Sequence, residues 1–123
     1  MSATVVYVIV DADLCKIGVS REPEKRARVL GRKLGRRFLL WGFVPVSGEG
    51  IPRQTSFIVE RLTHHRMKAA RVRGEWFRVS PEEALRVIGE ECDSVLSELR
   101  RRASTGEISQ RIDKEVSDRR LGR

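Results

Sequence analysis

Cysteine is scarce in this chain: Cys15 and Cys92 are its only two. They lie far apart, with neither Cys-x-x-Cys nor Cys/His ligand spacing around them. That argues against a disulfide scaffold and a zinc site, and for two ordinary thiols in a reducing, cytoplasmic setting. Long apolar runs are missing too. No stretch approaches the roughly 20 residues of a membrane-spanning helix, so no membrane partner is expected. Met1-Ser-Ala-Thr leads straight into a β-rich run without a basic segment, so no signal peptide is expected either. No internal repeat is visible, and at 123 residues with 40% apolar content the chain reads as one domain with a feasible core. We place that domain at residues 1–103, followed by a polar tail at 104–123.

Negative charge is also in short supply. There are 17 acidic against 25 basic side chains, for a net charge of +8. Residues 1–80 hold 16 basic and 7 acidic groups, whereas residues 81–123 hold 9 and 10. The positive field therefore belongs to the N-terminal two thirds rather than to a basic tail. Arginine dominates the basic set, and its planar fork suits phosphate. Nucleic acid is the natural partner for such a surface. A soluble protein that is merely arginine-rich in composition would show the same excess.

What is present is a hairpin. Thr4-Val-Val-Tyr7-Val-Ile-Val10 and Cys15-Lys16-Ile-Gly18-Val are β-rich runs separated by Asp11-Ala-Asp13-Leu. Side chains alternate along a strand, so Tyr7 shares a face with Val5 and Ile9, and Lys16 shares one with Gly18. A glycine beside Lys16 leaves room for a close approach, and a phosphodiester is the expected visitor.

After the hairpin, Ser20-Arg-Glu-Pro23 opens a helix running towards Leu34, with Ala27, Leu30 and Leu34 on one stripe. Arg28, Arg32, Lys33, Arg36 and Arg37 make this the most basic segment, a candidate DNA-binding surface. Residues 37–46 read as a strand that Gly42 and Pro45 restrict to an edge or a bulge. Pro52 then opens a helix of about twenty residues by pattern. Ile58, Leu62, His65 and Ala69 form its apolar, buried stripe. At roughly 100° per residue, Glu60 and His64 fall on another face. Arg71-Val-Arg-Gly74 reads as a basic turn before a short strand, Glu75 to Val79. Ser80-Pro81-Glu82-Glu83 is a capped helix start, with Leu85, Ile88, Cys92, Leu96 and Leu99 at helical spacing behind it. Residues 107–123 carry only Ile108, Ile112, Val116 and Leu121 as apolar positions. They read as a loosely attached helix or a disordered segment, suited to a partner protein or to self-association.

Taken together, Val5-Val-Tyr7, Lys16-Ile-Gly18, Arg26 and Glu60 resemble the GIY-YIG endonuclease superfamily over about residues 4–90. The closest resemblance is to a phage- and bacterium-associated branch with Lys-Ile-Gly in the second motif, Arg eight residues on, Glu followed by His, and a late Gly-Glu-Trp-Phe. Here those are Lys16-Ile-Gly18, Arg26, Glu60 with His64, and Gly74-Glu75-Trp-Phe77. Lys16 replaces the superfamily's usual tyrosine, and Val5 its glycine. The resemblance implies an α+β fold: a three-stranded antiparallel sheet flanked by helices, here with an extra C-terminal helix. It also implies cutting or nicking of DNA with one divalent metal, Mg²⁺ or Mn²⁺.

By that resemblance Tyr7 accepts the proton of the attacking water, which demands a lowered phenol pKa. Lys16 lowers that pKa or holds the nucleophile, and Arg26 clamps the scissile phosphate. Glu60 binds the metal, His64 orients a water or the leaving group, and Glu75 faces the site. Singly, each residue has a plainer explanation. Tyr7 could be a core aromatic, Lys16 a snorkelling edge residue, Arg26 and Glu60 surface charges, and Glu60 with His64 an i,i+4 pair. Two further functions stay open: a DNA-binding module that has lost its chemistry, and a protein-interaction domain.

Overall fold

The structure, a computed structural model, describes residues 3–104. Strands β1 (Thr4–Asp11) and β2 (Leu14–Ser20) form the expected hairpin, paired from Val5↔Ser20 to Asp11↔Leu14. Helix α1 (Pro23–Leu34) starts on its proline. It ends at Gly35, whose φ of 65° is the left-handed cap that glycine adopts without penalty. The chain returns as β3 (Leu39–Ser47) and then α2 (Gln54–Arg66). A 3₁₀ turn at Lys68–Ala70 leads into β4 (Arg71–Arg73), β5 (Trp76–Phe77) and α3 (Pro81–Ser104). The protein is α+β, with one five-stranded sheet in the order β3-β1-β2-β5-β4 and every pairing antiparallel.

Five strands stand where three were expected. The two-residue β5 lies inside the short strand read at Glu75 to Val79, whereas β4, three residues long, is too short to display the period-2 alternation that marks a strand. The segment read as a basic turn is itself β4, and Gly74, at φ 53°, turns it back into β5. The reading of β3 holds. It is an edge strand, and its register against β1 shifts between Val8 and Ile9 and again between Thr4 and Val5.

β1 is the axis of the core. Val5, Val6, Tyr7, Val8 and Ile9 are all at most 5% exposed, so both faces of this strand are covered and no polar alternation is possible. Ile17, Val59, Phe77 and Ile88 complete the buried set. Each fully buried aliphatic side chain contributes on the order of 1.5–3 kcal/mol relative to exposure. The Ser80 hydroxyl caps α3 as expected, accepting from the Glu83 N–H at 3.1 Å. Its first turns bury Ala84, Val87, Ile88 and Cys92, and Leu85 meets the sheet where Gly42 leaves space.

Helix α2 overturns one expectation. Its apolar stripe is not the buried one: Ile58 and Leu62 are 42% and 38% exposed, and the buried residues are Thr55, Ser56, Val59 and Thr63. Small hydroxyl side chains can be buried cheaply when their polar atoms find partners. Here Ser56 Oγ donates to the Thr4 carbonyl (3.3 Å) and lies 3.0 Å from Ser47 Oγ, while Thr63 Oγ1 donates to the Val59 carbonyl (2.8 Å). Among the described residues no buried side-chain nitrogen or oxygen lacks a partner. The helix is also shorter than expected, ending at Arg66.

Two compact units divide between Cys92 and Asp93. The second, taken by itself, continues α3 with Val95, Leu96 and Leu99 half-buried, and Glu98 pairs with Arg101 at 2.8 Å and Arg102 at 3.0 Å. The tail assigned to a partner or to self-association, residues 107–123, lies outside the described residues. No helix among the described residues is long and apolar enough to cross a membrane.

Candidate active site

Tyr7 and Gly18 are directly opposed across the β1–β2 ladder. The phenol lies over the glycine so closely that a Cβ at position 18 would sit 2.4 Å from Tyr7 Oη and 3.1 Å from Glu75 Oε1. Only glycine permits this approach. The space expected for a phosphodiester is therefore filled by the protein's own tyrosine, and the role of Gly18 is to seat it.

Glu75 arrives from the β4–β5 turn. The Ile17 N–H donates to the Glu75 carbonyl at 3.0 Å, and Lys16 pairs with Trp76 in the adjoining ladder. That anchoring brings Lys16 Nζ within 2.8 Å of Glu75 Oε1, with the Lys16 side chain 12% exposed. The same ammonium lies 5.9 Å from the centroid of the Trp76 ring, within cation–π range. Trp76 is thus half-buried beside the site, and its ring packs on Phe38 at 5.7 Å.

Glu60 arrives from α2, and spacing explains how it is held. Ser56, Glu60 and His64 recur every four residues, on one stripe of the helix. Both ends of that stripe are pinned to the sheet: Ser56 as above, and His64 Nε2 at 2.8 Å from the Ile17 carbonyl. A carbonyl only accepts, so Nε2 carries the proton. His64 also packs on Phe77, with ring centroids 4.9 Å apart. The sequence reading gave His64 a water or a leaving group to orient. The structure commits its Nε2 to backbone, which ties the stripe that carries Glu60 to β2.

Charge and burial set the chemistry. The Glu60 carboxyl is pushed up to about 7, first by burial, then by the charge of Glu75 and a hydrogen bond with it, against the pull of Lys16. The two carboxylates are thus crowded side by side. The Tyr7 phenol is pushed up to about 12. Burial is the main cause and the Glu75 charge the next; the Arg26 guanidinium, hydrogen-bonded to the phenol, pulls the other way. This reverses the lowered phenol pKa expected from sequence, because the acids and the burial outweigh one arginine.

Tyr7, Lys16, Gly18, Arg26, Glu60 and Glu75 therefore converge. The arginine run does not join them as a block. Arg26 and Arg28 are two residues apart, about 200° around the helix, and only Arg26 turns to Tyr7. Arg28, Arg32, Arg36 and Arg37 line a separate groove of about 630 Å³, floored by Ala27, Gly31, Gly35 and Phe38. Lys33 does not line that groove; it lies two turns beyond Arg26 on the same stripe. Among the described residues no group of three or more His, Cys, Asp or Glu side chains is placed to hold a metal, so any cation here would rest on the Glu60 and Glu75 pair.

A tyrosine, two cations and two carboxylates are thus gathered on the sheet of a hairpin-centred α+β domain, beside an arginine groove. Residues 4–92 match the T5orf172 domain, and the chain belongs to that phage-associated family, whose domain occurs in nuclease-like proteins. The matched segment ends at Cys92, where the first compact unit ends. No curated protein and no solved structure is significantly similar to the chain.

Proposed function

We propose that the domain is a divalent-metal-dependent DNA endonuclease of the GIY-YIG type. The observation that carries this reading is the gathering of Tyr7, Arg26, Glu60 and Glu75 from four separate elements around Gly18. Hydrolysing a phosphodiester requires a positioned water and neutralisation of the phosphoryl oxygens. Arg26, exposed beside the phenol, clamps the scissile phosphate with its planar fork. Tyr7 keeps its proton near neutral pH and orients the attacking water by hydrogen bonding. Lys16 holds Glu75 in place and supplies one of the two local cations.

Mg²⁺ or Mn²⁺ fits the donor set. Two half-buried carboxylates pressed together, one of them holding its proton up to about pH 7, leave a deficit of positive charge that a hard cation fills. Mg²⁺ needs only one or two carboxylates, because it retains most of its waters. Bound at Glu60 and Glu75, the ion would supply Lewis-acid stabilisation of the phosphoryl oxygens.

One observation favours the second reading, a DNA-binding module without chemistry. Tyr7 is only 1% exposed, which leaves its hydroxyl little surface on which to meet a water. Nicking of supercoiled plasmid with Mg²⁺ or Mn²⁺, set against Glu60→Ala, separates the two. Metal-dependent nicking that disappears in the variant supports the nuclease. Salt-sensitive DNA binding with no nicking by the native chain leaves only the module.

A further inference from the structure

We propose that the shallow pocket between the first turns of α1 and the β3 edge receives an unpaired nucleobase, so that the favoured substrate is single-stranded or locally unpaired DNA. This rests on the reading of the domain as DNA-binding and specifies which form of DNA it takes. The pocket, of about 310 Å³, is lined by Glu22, Pro23, Glu24, Lys25, Arg28 and Phe43.

Phe43 points to it: of the three exposed large apolar side chains on β3, Leu39, Trp41 and Phe43, it is the one that lines the pocket. Its ring is 44% exposed, on an edge strand where a polar residue would cost nothing. It is the direct cross-strand partner of Tyr7, so the two aromatic side chains leave the same face of the sheet with Cβ atoms roughly 5 Å apart. The hollow beside Arg26 shares Glu22 and Lys25 with the Phe43 pocket, so a strand whose phosphate lay at Arg26 would pass its neighbouring nucleotide round the start of α1 to Phe43.

The charge pattern separates this pocket from the arginine groove. The groove presents four guanidiniums and no carboxylate among its lining residues, which suits a phosphate backbone. The Phe43 pocket balances Lys25 and Arg28 against Glu22 and Glu24, with Lys25 Nζ 3.9 Å from Glu22 Oε2. A lining with no net charge beside an aromatic face suits a neutral, amine-bearing base: the ring stacks, the carboxylates accept from exocyclic amines, and the cations meet the flanking phosphates. Arg28 lines both hollows, so one strand can run from base pocket to backbone groove without a break in its contacts. A paired base could not reach Phe43 without leaving its helix.

The test uses the full chain in EDTA, so that no cutting intervenes, with a short DNA oligonucleotide carrying 2-aminopurine and the same sequence as a duplex. The native chain should bind the single strand more tightly than the duplex, and 2-aminopurine fluorescence should fall as the base stacks. Phe43→Ala should weaken single-strand binding roughly tenfold, the order that one stacked base is worth, abolish the fluorescence change, and leave duplex binding within twofold. Phe43→Trp, which keeps an aromatic face, should restore both. Single-strand binding that is indifferent to Phe43→Ala, in a variant with native circular dichroism, overturns the base pocket while the duplex result leaves the DNA reading standing. If the native chain binds neither form at low salt, both fall.

Discussion

The molecule carries two cationic regions that resemble each other in sequence and differ in physics. Around Tyr7, Lys16 and Arg26 are matched by Glu60 and Glu75, most of the groups are half-buried, and each is tied to a neighbour. Along the groove, Arg28, Arg32, Arg36 and Arg37 are exposed, and among the described residues the one ion pair they make joins Arg36 to Asp11 at 2.6 Å. The first region has fixed geometry without surplus charge; the second has surplus charge on long, exposed side chains. Fixed geometry suits chemistry, and surplus charge suits grip. The comparison teaches that arginines two residues apart on a helix can serve different tasks, because the helix turns one inward and the other away.

The sharpest way to break this contrast is to remove Arg26. Arg26→Ala should lower metal-dependent nicking by about a hundredfold or more, as expected for losing one preorganised charge donor at a phosphoryl group. DNA affinity, read by fluorescence anisotropy, should fall only severalfold. Equal losses in rate and affinity would merge the two regions into one. The reverse experiment is Arg32→Ala with Arg37→Ala. It should weaken binding about tenfold or more at low salt and reduce the slope of log K against log salt by about 2, roughly one per phosphate contact. The maximal nicking rate at saturating DNA should stay within severalfold of native.

Smaller effects sharpen the picture at the centre. Gly18→Ala should destabilise the domain by about 1–3 kcal/mol in chemical denaturation, because the added methyl falls on the Tyr7 phenol, and it should also slow nicking. A silent Gly18→Ala would mean that the phenol is not seated as described. The smallest effect concerns pH. Glu60 is held above its ordinary carboxylate range, at about 7, so in metal-free buffer the folded state binds its proton more tightly than the unfolded one. That contribution to stability is fully present below about pH 4.5 and is lost as pH rises towards 7. Glu60→Gln should flatten this part of the Tm-against-pH curve and raise Tm above pH 7. An unchanged curve would mean that the two acids do not crowd.

The site was partly legible beforehand because its members differ in kind. Tyr7, Lys16 and Gly18 stand out in apolar strands, and the resemblance supplied Arg26, Glu60 and Glu75. What sequence could not convey was direction. The groove arginines and Arg26 form one basic run on paper, and only the turn of α1 separates them. The apolar stripe of α2 looked like core because apolarity is the signal that periodicity reads. The helix instead buries Ser56 and Thr63, whose hydroxyls are satisfied by backbone. His64 looked like chemistry, and only the structure shows that its Nε2 is bonded to the Ile17 carbonyl.

The primary structure alone determined the hairpin, the start of α1, the edge position of β3, the capped start of α3 and the uneven charge. Each of these follows from residues close together in the chain, through strand propensity, proline and glycine geometry, or simple counting. Only the tertiary structure decided that Tyr7 lies on Gly18, that Glu60 and Glu75 crowd each other, and that β4 and β5 extend the sheet. Those outcomes depend on contacts between residues far apart in the chain, such as Lys16 with Glu75, 59 positions on, and Cys15 with Phe77, where burial and mutual charge, rather than local preference, set the energy.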